Sequence, residues 1–260
     1  ESENFIQHFL KQIDQYRFKH ILTRDVAYST ILKSNRRILH KSVAEVIEEN
    51  FSDIIEKFYY ELAIHYDHAN KYNKAIDYLE KSGKKFQRIL DFPSALLCFK
   101  RIIEIYKEQN INYNDTFYLA KGQIGKIYGF LGKTEKAISL LLSLVKDSSK
   151  ISKDILAKIY LYLGDVYENK RQNDLSVNSW RSLFEIVKNQ CSKLHKDLPK
   201  LIEENLNSVE KKWPKDLPKG IIHADLFHDN IFFNKDKFSG IIDFYFSCED
   251  FFAFEIAICF

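Results

Sequence analysis

The sequence predicts a mainly α chain, a series of helical hairpins followed by a small α+β segment at the C-terminal end. Three observations predict it. Apolar residues recur at three- and four-residue steps from about Phe5 to Val187, as in Leu62, Ala63, Tyr66 and then Ala75, Ile76, Leu79, which is the helical period. A block of six residues then recurs 39 positions later, the mark of stacked helix pairs. After about Cys191 the helical pattern gives way to short β-rich runs bounded by polar turns.

Taken in order, residues 1–58 read as a helical connector, 59–187 as the hairpin repeats and 191–260 as a separate segment. Helix breaks are expected at Asn70-Lys71, Asp91-Phe92-Pro93, Leu131-Gly132 and from Asn169 to Asn173. The recurring block is Ile124, Gly125, Tyr128, Ala137, Leu141, Leu144, answered by Leu163, Gly164, Tyr167, Ser176, Trp180, Leu183. Small residues stand where the two helices of a hairpin touch, and large ones fill the groove between neighbouring hairpins. Looser turns of the pattern are Leu62, Ala63, Tyr66, Ala75, Leu79 and Gly83, Phe86, Ala95, Phe99, Ile102. One more amphipathic helix, Leu198 to Lys212, precedes Trp213-Pro214 and Leu217-Pro218. Ile221-Ile222, Ile231-Phe232-Phe233 and Gly240 to Phe244 then read as strands of one small sheet.

Composition excludes several classes of function. The 39 basic and 36 acidic side chains leave a net charge of +3, so no overall field calls for nucleic acid or an anionic membrane. The 21 Phe and 15 Tyr fall at packing positions in the repeats with no basic stripe beside them, which favours core filling over base stacking. No apolar run is long enough to span a membrane. Cys98, Cys191, Cys248 and Cys259 lie far apart without metal-ligand spacing, as expected of reduced thiols in a cytoplasmic protein.

Chemistry concentrates in His223-Ala224-Asp225-Leu226-Phe227-His228-Asp229-Asn230, a loop between two strands. The turn Asn234-Lys235-Asp236-Lys237 folds the next strand back, and reflection about this hairpin is expected to bring Asn230 to face Asp243. An amide oxygen and a carboxylate so placed suit Mg²⁺, which takes hard oxygen ligands and shares them with substrate phosphates. Asp225 is then free to accept the proton of a substrate hydroxyl, the plan of kinase-like phosphoryl transfer.

Three resemblances follow from these residues. The repeated positions resemble the tetratricopeptide repeat over about residues 60 to 187, which implies an α-solenoid with a protein ligand on its concave face. The stretch Tyr16 to Leu22, Asp25 to Tyr28 and Arg36 to His40 resembles the segment joining the ATPase module to the helical repeats of cyclase-associated signalling regulators. The run Trp213 to Phe227 with Gly240 to Phe246 resembles homoserine kinase of the aminoglycoside-phosphotransferase-like fold, over about residues 191 to 260. That resemblance implies a kinase-like C-lobe fragment, with Asp225 as catalytic base and His223 bracing the loop. It also implies Asn230 and Asp243 as Mg²⁺ ligands, ATP as co-substrate and homoserine as the small-alcohol substrate. His228 and Glu255 depart from the family pattern, at positions read as lying outside the three chemical ones.

Other candidates have plainer explanations. Gly132-Lys133-Thr134 lacks the glycine a phosphate loop needs at 127, where the residue is Ile127, and reads as an inter-helix turn. His65, Asp67 and His68 read as the polar face of a repeat helix rather than metal ligands. The absence of Met and the apolar run ending at Phe260 lead to the expectation that both ends are cut, leaving a catalytic segment without a complete catalyst. Two functions remain open: ATP-dependent phosphorylation of homoserine or a similar alcohol, and a non-catalytic repeat module that binds another protein.

Overall fold

The computed structural model describes residues 6–10, 13–18, 21–170, 172–212 and 216–259, and Trp213-Pro214 of the kinase-like run lies outside them. The chain divides into two units, residues 1–127 and 128–260, with the division inside a helix.

The first unit opens on two paired antiparallel strands, β1 (Ile6–Leu10) and β2 (Ile13–Phe18). The expectation of helix from Phe5 onward is corrected here. Ile6, His8 and Leu10, like Tyr16 and Phe18, are spaced by two, and that strand period prevails over the short helical one. Helices follow: α1 (Ile21–Thr30), α2 (Lys33–Asn50), α3 (Tyr59–His68), α4 (Tyr72–Arg88), α5 (Phe92–Glu108) and α6 (Asp115–Phe130).

The helix stops have a common chemistry. Asn70, Leu90, Asn110 and Gly132 all take left-handed φ, between 50° and 68°. The next N–H in each case bonds back to a carbonyl five residues earlier, as in Lys71 N to Tyr66 O at 2.8 Å and Lys133 N to Tyr128 O at 2.8 Å. That is the Schellman stop, for which Gly and Asn are the favoured residues. Asp91 caps α5 by accepting from Ser94 N at 3.2 Å, and Pro93 sits in the first turn where its missing N–H costs nothing.

Packing within hairpins follows the small-to-large code read from the sequence. Ala63 and Ala75 are fully buried where α3 meets α4, and Gly83 lies directly under the Phe99 ring where α4 meets α5. Glu48 pins α2 onto this stack, accepting from Tyr66 Oη at 2.6 Å, Tyr78 Oη at 2.6 Å and Lys74 Nζ at 2.7 Å. Burial and the neighbouring carboxylate hold the Tyr78 phenol well above its ordinary range. Of the polar residues on α3, His65 is half-buried with its Nδ1 2.8 Å from His40 Nδ1, while Asp67 takes a bidentate pair from Arg101 at 2.7 and 3.1 Å.

The second unit continues with α7 (Thr134–Lys146), α8 (Lys153–Asn169), α9 (Asn173–Leu194) and α10 (Leu198–Lys212). Gly164 of α8 lies against Trp180 of α9, and Ser176 Oγ donates to Gly164 O at 3.0 Å. Arg181 ties α9 to α10 through Glu210 at 2.8 Å. Four strands come next: β3 (Lys219–Ile222), β4 (Ile231–Asn234), β5 (Lys237–Ile241) and β6 (Cys248–Phe251), and then α11 (Phe252–Cys259). They form two separate antiparallel pairs, β3–β6 and β4–β5, where the sequence pattern predicted one small sheet. The predicted strand 240–244 also ends at Ile241, because Asp243 turns left-handed at φ 62°. No helix among the described residues is long and apolar enough to cross a membrane.

Candidate active site

The site loop leaves β3 at Ile222 and rejoins the β4–β5 hairpin through a single 3-10 turn, His228–Asn230. Apolar Ile222 is buried, which brings the residues after it to the protein interior and leaves His223 only 5% exposed. The His223 ring packs edge-on against Phe244, with centroids 4.8 Å apart. Its Nε2 lies 2.7 Å from Ile242 O. A carbonyl can only accept, so Nε2 carries the hydrogen, and the buried Nδ1 has no hydrogen-bond partner among the described residues.

Asn230 faces back across the loop. Its amide nitrogen donates to Asp225 O at 2.8 Å and to Asp225 Oδ2 at 3.2 Å. Asn230 O in turn accepts from Ile242 N at 3.1 Å. These contacts close a ring: residues 223–225 by covalent chain, Asp225 to Asn230, Asn230 to Ile242, and Ile242 back to His223. Asp243 is the next residue after Ile242 and is exposed.

The strand register differs by one from the predicted reflection. Phe233 pairs with Phe238 but Phe232 pairs with Gly240, so Ser239 is an extra residue in β5. A regular hairpin on this turn would set Asn230 opposite Ile241; the bulge shifts it to Ile242, one residue short of the expected Asp243. The backbone therefore holds Asn230 at Asp225 and Ile242, while Asp243 sits one position beyond, on a left-handed turn.

The donor chemistry fits a hard divalent cation. The Asn230 amide nitrogen is committed to Asp225, which leaves its amide oxygen as the end able to ligate, and the exposed Asp243 carboxylate is the neighbouring hard donor. Among the described residues no group of three His, Cys, Asp or Glu is arranged to hold a metal, so a site here would combine the Asn230 amide and the Asp243 carboxylate with non-protein oxygens.

One contact was not legible as functional. Ala224, between His223 and Asp225, has φ 61°, a conformation L-residues avoid. Its N–H donates to Glu255 Oε2 of α11 at 2.8 Å. The sequence carried a signal for this: Glu255 is the one charged residue in the run Phe252-Ala253-Phe254-Glu255-Ile256-Ala257-Ile258-Cys259. Read as peripheral, it in fact touches the loop one residue from Asp225. Gly132-Lys133-Thr134 forms the α6–α7 turn, with Gly132 at φ 68°.

Comparison with known proteins bears on this same segment. Residues 154–260 match the model of the APH phosphotransferase enzyme family. The C-terminal region carries a phosphotransferase domain. Its curated relatives include the homoserine kinase of Rhodospirillum rubrum, 47% identical over 106 residues, which cover 41% of this chain and 33% of that protein. The homoserine kinase of Azorhizobium caulinodans is 49% identical over 104 residues, 40% of this chain and 32% of that protein. That of Rhizobium meliloti is 41% identical over 141 residues, 52% of this chain and 43% of that protein. The chain thus spans about a third to under half of the length of the relatives it matches. The family match begins at residue 154, so it takes in α8 and most of α9 as well as the segment after 191.

Proposed function

We infer that the C-terminal segment catalyses transfer of the γ-phosphoryl group of ATP to the hydroxyl of a small alcohol, homoserine in the first instance. The observation that carries this is the closed ring of hydrogen bonds that gathers Asp225, Asn230 and the residue preceding Asp243 around one loop. In this reading the substrate oxygen bonds to the γ-phosphorus as the bond from that phosphorus to the bridging oxygen of ADP breaks, and ADP leaves with the electron pair. Asp225 accepts the hydroxyl proton. Asn230 holds Asp225 in place through its amide N–H groups and presents its amide oxygen, with the Asp243 carboxylate, to Mg²⁺. The cation, when bound, would neutralise charge on the phosphate oxygens. His223 fixes the segment just after β5 to the loop through Ile242 and is a positioning residue.

The supporting comparison is the identity of about one half to relatives named homoserine kinases over this stretch. A coupled assay of the chain with ATP, Mg²⁺ and homoserine tests it: turnover abolished by Asp225→Ala is expected, and no turnover above blank refutes the reading for this chain.

The boundaries 1–58, 59–187 and 191–260 belong to the same reading, with the helices of the middle stretch as tetratricopeptide-like hairpins. A cavity of about 290 Å³ in the first unit, lined by Tyr60, Ile64, Asp67, Leu97, Arg101 and Glu104, favours a protein ligand on that stretch. It mixes exposed apolar side chains with paired charges, as a peptide-binding groove requires. Pull-down with Leu97→Glu against wild type tests that second role independently of turnover.

A further inference from the structure

We propose that the outer face of α2 is a contact between two copies of this chain, packed antiparallel about a two-fold axis through the middle of the helix. The inner face of α2 is already committed: Ala44 is fully buried, His40 meets His65, and Glu48 holds the Tyr66 and Tyr78 phenols. A second apolar stripe is turned away from α3. From the N-cap onward, Leu32, Arg36, Leu39, Val43, Val46 and Asn50 follow at alternating steps of four and three, the spacing of a coiled-coil seam. Leu32, Leu39, Val43 and Val46 are between 42% and 70% exposed, so this seam lies open along the 18 residues of α2, about 27 Å. A seam this short would not hold two isolated helices together, but α2 is already folded against α3, and pairing it carries no cost of helix formation.

Charge decides what covers the seam. Between residues 33 and 41 the helix carries Lys33, Arg36, Arg37 and Lys41 and no acid; between 45 and 50 it carries Glu45, Glu48 and Glu49 and no base. Such a helix complements a reversed copy of itself. In the antiparallel register Leu39 packs on Val43 of the other copy, Arg36 on its Val46 and Leu32 on its Asn50, and the two-fold axis makes each pair twice. Arg36 then lies beside Glu49 of the other copy. Parallel pairing would instead stack Arg36 on Arg36 in one layer, where like charges repel. Arg36 is braced by its own chain, with Nε donating to Ile31 O at 2.9 Å and the guanidinium 5.0 Å above the Tyr28 ring. Neither it nor Glu49 has an ion-pair partner among the described residues. Within one helix the two are 13 residues apart, about 20 Å, too far to pair with each other.

Sedimentation equilibrium of the whole chain tests this. A monomer–dimer equilibrium is expected in wild type, weakened at least about 100-fold by Val43→Glu, which sets a carboxylate in an apolar layer of both copies. Helicity by circular dichroism should not change; if Val43→Glu does lose helicity, Glu49→Arg carries the test, at an exposed position. Glu49→Arg and Arg36→Glu should each weaken the dimer by about 10-fold, since each turns two attractions into repulsions, and the double variant should recover the loss. A short bismaleimide should link Ser42→Cys to its copy, because the two residues 42 meet near the axis, with the link located by peptide mass. Leu32→Cys should not link to its copy, the two positions lying about 27 Å apart in the antiparallel pair. A wild type monomeric at every concentration overturns the proposal, including one that binds phosphatidylserine vesicles or another protein through this face. So does a dimer that Val43→Glu leaves intact, a double variant no tighter than either single, or a link at 32 without one at 42.

Discussion

Replacing Asn230 by Asp separates a loop strut from a metal ligand, because it keeps an oxygen for the cation and removes the N–H that holds Asp225. Two hydrogen bonds are lost, at 2.8 and 3.2 Å. The second of these is to a carboxylate and is worth about 1.5–3 kcal/mol. A second carboxylate also replaces a donor beside Asp225. At 3.2 Å, two like charges repel by about 5 kcal/mol at an effective dielectric of about 20, and by about 1 kcal/mol in bulk water. Both residues are half-buried, so the cost lies between these limits. Without divalent cation the variant loop should open and its amides exchange faster by at least about 10-fold, each 1.4 kcal/mol being a factor of ten. A bound Mg²⁺ reverses the sign of that repulsion, so protection should return on titration with MgCl₂ and not with NaCl at matched ionic strength. Asn230→Ala should lose protection and not regain it. Refutation of the reasoning would be an Asn230→Asp loop as protected as wild type without cation, or one that Mg²⁺ leaves unprotected.

Three further outcomes are expected. Burial, then the neighbouring His68, the facing His65 and Arg36, hold His40 below the ordinary imidazole range, and burial and His68 do the same for His65, against the opposing pull of Glu61. Their neutral forms are favoured in the folded state, so this contribution to the stability of the first unit is complete above about pH 6.5 and is lost as pH falls below it. Urea melts between about pH 7.5 and 5 should show the decline, a smaller one in His40→Phe, and a flat profile in wild type would count against it. Gly164→Ala gains about 1 kcal/mol of helix propensity but sets a Cβ 2.2 Å from Trp180 Nε1, and overpacking of about 1–3 kcal/mol should prevail. A lower Tm with shifted tryptophan emission is the expected signature. Leu90, 71% exposed at φ 60°, should be improved by Leu90→Asn by about 0.5–1 kcal/mol, measured by thermal melting.

Much of the helical part was legible because its information is local. The expected breaks at Asn70-Lys71, Asp91-Phe92-Pro93, Leu131-Gly132 and Asn169–Asn173 all mark junctions between consecutive helices, with Phe92-Pro93 forming the first turn of α5, and the helix from Leu198 to Lys212 has the predicted ends. The pairing of Gly164 with Ser176 and Trp180, twelve and sixteen residues on around one hairpin, follows from helix period and turn length alone. The Asn234–Lys237 turn was placed for the same reason.

What sequence spacing could not supply were choices between nearly equal local alternatives. Residues 6–10 and 13–18 carry both a helical and a strand pattern, and pairing between them decides for strand. The extra residue at Ser239 moves Asn230 from Ile241 to Ile242, a one-residue shift that depends on how two strands meet and not on the composition of either. His40 reaches His65 across 25 residues, and Glu255 reaches Ala224 across 31. By itself the sequence singled out Asp225, Asn230 and Asp243, the residues on which the proposed phosphoryl transfer rests, by their type and order. Only the tertiary structure decided how that loop is held, because a hydrogen bond from a distant helix to a strained peptide leaves no periodicity to read.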